Sequence, residues 1–372
     1  MLVLALANTF LEIQESKGQL PPGPGRWPII GNLFQMIMNR PAHQWIHRVM
    51  EDMETEIACF RFAGGVHVII EKDKALADRA EAYSIRLISH GYNGVSFSSY
   101  ADYRPFLRGW NVEGEEKDAR EAVDIINRCN DPIIRERMHL WRDKGGNETE
   151  EDWLDIPIKQ KMIKEYIYSH LRRLELNDVN VATIDNTMNT VEWTIAEMLN
   201  HQEILEKATK ELNIIVGKDR LIQESDIPQL NYIKACCKES FRLHPPNAFL
   251  PPHGAREDTT LAGYFVPKGS QILMSCPGLG RNPKTWEEPD AFKPERHLVD
   301  HARDPVDVTL MEPDMLLGAT KIVMLLARLL QGSNGLSHVE LIAANTNLFM
   351  AKPLLASAKP RLAPGLYPKI QV

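Results

Sequence analysis

Glu239-Ser-Phe-Arg242 and, further along the chain, Phe292-Lys-Pro-Glu-Arg-His297 are the two stretches on which the reading of this sequence turns. Glu239 and Arg242 stand three apart, so on a helix they share one face. A carboxylate and a guanidinium at that spacing can pair, and Arg296 can add a second bidentate contact. Buried, such a triad contributes little net stability but fixes one geometry. Taken alone, a Glu-x-x-Arg step reads as a solvated helical pair, so its meaning depends on what surrounds it.

The surroundings are those of a globular chain. Of 372 residues, 44% are apolar and 25% charged, enough for a sizeable core. The net charge of −7 offers no basic field for nucleic acid. The five cysteines, Cys59, Cys129, Cys236, Cys237 and Cys276, show no disulfide framework and no zinc spacing, which favours a reducing compartment or the cytosolic face of a membrane. Cys236 and Cys237 are read as reduced and at least partly buried.

The run Met-Leu-Val-Leu-Ala-Leu-Ala at the start turns polar at Glu12, too short to span a bilayer. Pro21-Pro-Gly-Pro-Gly25 cannot be helix and reads as a stiff extended segment. Residues 56–70 predict a hairpin about Gly64-Gly65. Residues 114–143 carry helical spacing (Ala122, Ile125, Ile126, Ile133, Ile134), with Asp131-Pro132 able to start a second helix. The apolar period over 190–216 predicts one helix capped by Gly217. Ile227 to Leu243 predicts another, ended by Pro245-Pro246. Residues 259–275 predict a hairpin turning at Pro267-Lys-Gly269. Ala319 to Leu330 is apolar nearly all round and predicts a helix buried on most faces, ended at Gly332.

Beyond Arg242 the chain reads Leu243-His-Pro-Pro-Asn-Ala-Phe-Leu-Pro-Pro-His253, then Asp258-Thr-Thr-Leu-Ala-Gly-Tyr-Phe-Val-Pro-Lys-Gly269, then Gly280-Arg-Asn-Pro-Lys-Thr-Trp-Glu-Glu-Pro289. With Glu239-Ser-Phe-Arg242, Phe292 to His297, Pro21-Pro-Gly-Pro and Pro28-Ile-Ile-Gly-Asn32, these stand in the order of one family. The chain resembles a cytochrome P-450, a heme-thiolate monooxygenase. Asp185-Asn186, where most of the family carries an acid and an alcohol, and His297, in place of the usual phenylalanine, resemble the plant branch that N-hydroxylates amino acids to aldoximes.

The resemblance implies a mainly α fold with small β-sheets, the cytochrome P-450 fold. It implies heme as cofactor and Asp185 and Asn186 as the proton-relay positions on a central helix. Glu239, Arg242 and Arg296 become the structural triad, and His253 a contact for a heme propionate. It further implies NADPH-cytochrome P-450 reductase as electron donor, an amino-acid substrate, and a place at the cytosolic face of the endoplasmic reticulum membrane. Residues 1–20 then read as a truncated anchor-like segment, 21–32 as the proline-rich hinge, and 33–372 as a single, incomplete domain.

The chain also departs from the pattern. The family's heme loop, Phe-x-x-Gly-x-Arg-x-Cys-x-Gly, belongs between Met315-Leu-Leu317 and Gly318-Ala-Thr320, and no cysteine follows Cys276. Around Tyr100-Ala-Asp-Tyr-Arg104 and over 155–180 the family pattern is also broken, so several helices of the N-terminal half are expected to be missing. The expectation is a monooxygenase by descent that is inactive as its sequence stands. The alternatives are a non-catalytic remnant acting through protein contacts, and an error in transcript prediction for an active enzyme.

Overall fold

The computed structural model describes residues 19–27, 31–39, 41–62, 66–72, 186–250, 253–298, 316–332 and scattered positions in 125–139 and 341–354. The chain divides into two compact units, Met1–Ser89 with Asp185–Val372, and His90–Ile184. In the second unit Ile125, Arg128, Pro132, Arg135, Glu136 and His139 are helical and exposed. Everything that follows concerns the first unit.

Its elements run α1 (Leu33–Met38), α2 (Ala42–Asp52), β1 (Ile57–Phe62), β2 (Val66–Glu71), α3 (186–200), α4 (Gln202–Ile215), a 3-10 turn (Glu224–Gln229) and α5 (Asn231–Leu243). Then come β3 (His253–Gly254), β4 (Thr259–Leu261), β5 (Tyr264–Val266), β6 (Gln271–Met274), α6 (Cys276–Gly280), a 3-10 turn (Pro294–His297) and α7 (Leu316–Gly332). The unit is partly helical with small sheets, as the resemblance implies. The larger sheet has the order β1-β2-β6-β3, with β2 and β6 parallel and the other pairs antiparallel.

Two apolar assemblies hold these elements. Ile57, Cys59, Ile69, Leu261, Val266 and Ile272 form the core over the sheets. The helical core joins Met198 of α3, Leu212 of α4, Ile233 and Cys236 of α5, and Leu326 and Leu330 of α7. The predicted hairpin over 56–70 is present as β1 and β2, paired from Ile57–Glu71 to Phe62–Val66. Its Gly64-Gly65 turn lies outside the described residues.

The proline-rich stretch is fastened to the sheets by main-chain bonds. Phe265 N–H donates to Gln19 O at 2.8 Å, and Cys59 N–H to Pro22 O at 2.7 Å. Gly31, at φ 62°, lies so close to β1 that a Cβ there would sit 2.0 Å from Arg61 O. Only glycine tolerates both that angle and that approach.

Several predicted elements are corrected. The helix expected over 190–216 is two helices. His201 leaves helical geometry at φ −123° and ψ 79°. Its N–H closes α3 on Glu197 O, and its own carbonyl starts α4 by accepting from Ile204 and Leu205. Three- and four-residue apolar steps recur on both sides of the break, and only the five-residue step from Leu199 to Ile204 marks it. The helix expected from Ile227 begins at Asn231, because Pro228 lies in the preceding 3-10 turn and has no N–H for an α-helical bond. Glu211 of α4 then caps α5 from outside, accepting from Tyr232 N–H at 2.8 Å and Ile233 N–H at 3.0 Å.

The hairpin expected over 259–275 is placed differently. Its strands are β4 and β5, and its turn is Ala262-Gly263, at φ 51° and 81°. Consecutive left-handed residues suit a two-residue hairpin. The Pro267-Lys-Gly269 turn instead carries the chain across to β6 in the other sheet. The expected apolar helix is α7, longer at its start and continuous through Leu317 and Gly318. It is not buried all round, since Leu325 and Leu329 are exposed while Ile322, Val323, Leu326 and Leu330 are buried.

Candidate functional site

The Glu239 side chain is fully enclosed, and its carboxylate is the centre of a clamp joining α5 to the turn Pro294–His297. Arg242, one helical turn on, donates from Nε to Oε2 at 2.9 Å and from Nη2 to Oε1 at 2.7 Å. Arg296 adds a single Nε bond to Oε1 at 3.0 Å rather than the bidentate contact expected. Its two Nη atoms are turned to the carbonyls of Glu287, Glu288 and Ala291. Lys293 N–H also donates to Oε1 at 2.9 Å.

Arg242 uses every N–H it has, since its Nη atoms also donate to Gly280 O and Pro289 O at 2.6 Å and to Ala291 O at 3.0 Å. Gly280 permits this approach: a Cβ there would lie 2.1 Å from Arg242 O. Trp286 covers the group, with the two guanidinium carbons 5.2 and 5.8 Å from its ring centre. Burial alone would push the Glu239 carboxyl up. The hydrogen bonds from Arg242, His297 and Lys293, with the charge of Arg242, overcome that and hold it at about 2.

The clamp has members that the pair-by-spacing argument did not assign. His297 Nε2 lies 2.8 Å from Glu239 Oε2, and Trp286 spans the two arginines. His297 was legible only as a departure from the family's phenylalanine. Its contact joins segments far apart in sequence, for which helical periodicity gives no signal.

Among the described residues α3 begins at Asn186, which is half-buried, while Asp185 lies just outside them. Asn186 O accepts from Thr190 Oγ1 at 2.8 Å, and Thr190 O from Thr194 Oγ1 at 2.6 Å. These threonines therefore bond back into their own helix. Glu197, buried near the end of α3, meets His244 Nε2 at 2.6 Å. The His244 ring stacks on Trp193 at 3.9 Å and 3°. Burial lowers the His244 imidazole, and Glu197 offsets part of that. This pair ties α3 to the end of α5, and sequence spacing did not find it.

His253 is the first residue of β3, half-buried and opposite Ile272. It lies on the sheet, apart in sequence and element from both the clamp and α3. Cys59, Cys236, Cys237 and Cys276 are free and buried. Burial pushes the thiols of Cys59, Cys237 and Cys276 up to about 12, and that of Cys236 well up. Cys129 lies outside the described residues.

The order of motifs, the helices with small sheets and the Glu239 clamp meet in one family. A family model for cytochrome P-450 matches residues 66–308. The chain is 36% identical over 495 aligned residues to dihomomethionine N-hydroxylase of Arabidopsis thaliana, covering 95% of this chain and 92% of that protein. It is 32% identical to tyrosine N-monooxygenase of Sorghum bicolor, over 95% of this chain and 88% of that one. It is 33% identical to tryptophan N-monooxygenase 1 of Arabidopsis thaliana, over 100% and 93%. The chain belongs to the cytochrome P-450 family, the heme monooxygenases, and is similar to plant amino-acid N-hydroxylases.

Proposed function

We propose that this chain descends from an amino-acid N-hydroxylase forming aldoximes, and that as its sequence stands it does not perform the oxygenation. The substrate class rests on the relatives, whose names specify N-hydroxylation or N-monooxygenation of methionine homologues, tyrosine and tryptophan. The loss rests on one observation: α7 runs unbroken through Leu317-Gly318, where the family's cysteine loop would enter, and no cysteine follows Cys276.

Thiolate-ligated heme needs a cysteine that ionises and reaches the iron. The described cysteines are packed into cores with their thiols pushed upward, so they do not fit that role. No reaction step is therefore assigned to heme in this chain. Asp185 and Asn186 remain the proposed relay positions of the ancestral reaction, His253 its proposed propionate contact, and the reductase its electron donor.

The test is to expose the purified chain to heme, reduce it and add carbon monoxide. The expected result is no thiolate-type ferrous–CO band. Such a band would overturn the proposal. Where it is absent, a cooperative unfolding transition marks a folded non-enzyme, and its lack marks a degraded product.

A second reading is favoured by the alignment with the Arabidopsis relative, which is longer than this chain although it covers nearly all of both proteins. Internal segments of the relatives have no counterpart here. Sequencing the transcript across the codons for Leu317 and Gly318 separates the readings. A cysteine-bearing loop between them restores an ordinary active enzyme, and a direct join leaves the thiolate absent.

Membrane contact is the remaining part of the proposal. No helix among the described residues is long and apolar enough to cross a membrane. Trp27, Phe34 and Met38 are nevertheless exposed, with the Trp27 and Phe34 rings in edge contact at 6.0 Å. Phe34 and Met38 share one face of α1, so together the three residues offer an apolar surface suited to an interfacial contact. Co-sedimentation with neutral phospholipid vesicles, weakened in Trp27→Ser with Phe34→Ser, is the expected outcome. Equal sedimentation of both proteins removes this contact from the proposal.

A further inference from the structure

We propose that His297 is a positioning residue of the clamp: its Nε2–H holds Oε2 of Glu239 and thereby keeps the turn Pro294–His297 seated on α5. The inference does not depend on heme, so it stands or falls separately from the proposed function.

A carboxylate of this kind accepts only, so the short contact between His297 Nε2 and Glu239 Oε2, at 2.8 Å, has the imidazole as donor. That holds for the neutral and the charged ring alike. Oε1 of Glu239 is crowded, receiving Arg242 Nη2, Arg296 Nε and Lys293 N–H. Among the described residues Oε2 receives only Arg242 Nε and His297 Nε2. Without the histidine, one oxygen of a fully enclosed carboxylate keeps a single partner.

The other ring nitrogen gives the complementary argument. His297 Nδ1 is buried and has no hydrogen-bond partner among the described residues. Leaving a buried polar atom unsatisfied is unfavourable. A phenyl ring, the usual residue at this place in the family, would carry no such atom. The imidazole therefore has one polar contact to set against that penalty, and it is the bond to Glu239. The ring is otherwise packed as an aromatic would be, 5.9 Å from Trp286.

The charged groups about the ring are Glu239 and Arg242 on α5 and Arg296 beside it in the chain. Glu295, earlier in the same turn, is held by Lys207 of α4 at 2.6 Å and by Tyr232 of α5 at 2.9 Å. The turn thus has an exposed fastening through Glu295 and an enclosed one through Arg296 and His297. Loss of the histidine should loosen the enclosed one and leave the other in place.

The test is hydrogen exchange by mass spectrometry on the whole chain, read in the peptides over 286–298, for His297→Phe and His297→Gln. Glutamine can place an amide N–H where Nε2 stands, whereas phenylalanine keeps the ring and loses the donor. His297→Phe should speed exchange in these peptides by roughly tenfold or more, the scale of one lost hydrogen bond to a charged group. His297→Gln should recover most of that protection, and peptides over β4 and β5 should not change in either variant. Equal protection in His297→Phe and the unaltered chain overturns the proposal, because the ring would then act by shape alone. Loss in both variants to the same extent overturns it too.

Discussion

At the scale of single residues, the Glu239 carboxylate dominates the energetics. It is enclosed with Arg242, which is itself 1% exposed. Glu239→Gln removes the charge that Arg242 and Arg296 face and leaves buried cations without it. The expected cost is about 3–5 kcal/mol, measured as a shift in the urea unfolding midpoint near neutral pH. The acid response has a definite sign. Glu239 titrates at about 2 in the fold against 4.5 for an ordinary glutamate, so its contribution is complete above 4.5 and is lost as pH falls toward 2.

Buried and half-buried histidines act earlier on the same descent. Burial lowers His43, His67 and His244, and brings His47 from 6.5 to about 4. The unfolded chain therefore takes up protons that the folded chain refuses, and stability falls as pH drops from 6.5 toward 4. Urea midpoints measured against pH should decline from 6.5 downward, ahead of the carboxylate range. His47→Gln should flatten the upper part of that decline. Of these residues the Glu239–Arg242 pair was legible from its spacing on one helix, and Arg296 from the motif that carries it, whereas the histidines were not. His47, which meets Ser275 through Nε2, is placed by a contact between distant segments that no local period encodes.

At the scale of elements, legibility followed whether a local rule competed with a tertiary one. β1 and β2 were readable because their pairing is a hairpin. β6 was readable as a strand but not in its pairing, because it leaves its sequence neighbour β5 to run parallel to β2. The short helices α1 and α6 carry too few turns to announce themselves by period. For α7 the exposed and buried leucines make a direct comparison. Leu326→Ala, at a fully buried position, should cost about 2–5 kcal/mol. Leu329→Ala, on the exposed face, should change stability by within about 0.5 kcal/mol. Thermal unfolding of the pair distinguishes them, and equal losses would mean that the face of Leu329 is covered. Gly280→Ala, which sets a Cβ against Arg242 O, should destabilise more than its small volume suggests.

At the scale of the whole molecule, the order of motifs identified the family, while the fit of a cofactor could not be read from order alone. The expected place of the cysteine loop, between Leu317 and Gly318, was read from the sequence; the structure adds that α7 passes through both residues without interruption and that the described cysteines are buried. A chain that keeps the clamp and, as proposed, lacks the thiolate separates two demands that an active enzyme satisfies together, holding a shape and activating oxygen.

The clamp itself has a consequence for how such a sequence drifts. Arg242 and Arg296 grip the carbonyls of Gly280, Glu287, Glu288, Pro289 and Ala291, not their side chains. A lock that feels only the main chain is blind to most spelling changes in the text it holds. Substitutions such as Glu287→Gln and Ala291→Ser should pass with changes within about 0.5 kcal/mol in unfolding free energy. Ancestry can thus stay readable in a few fixed letters long after the letters between them have been free to wander.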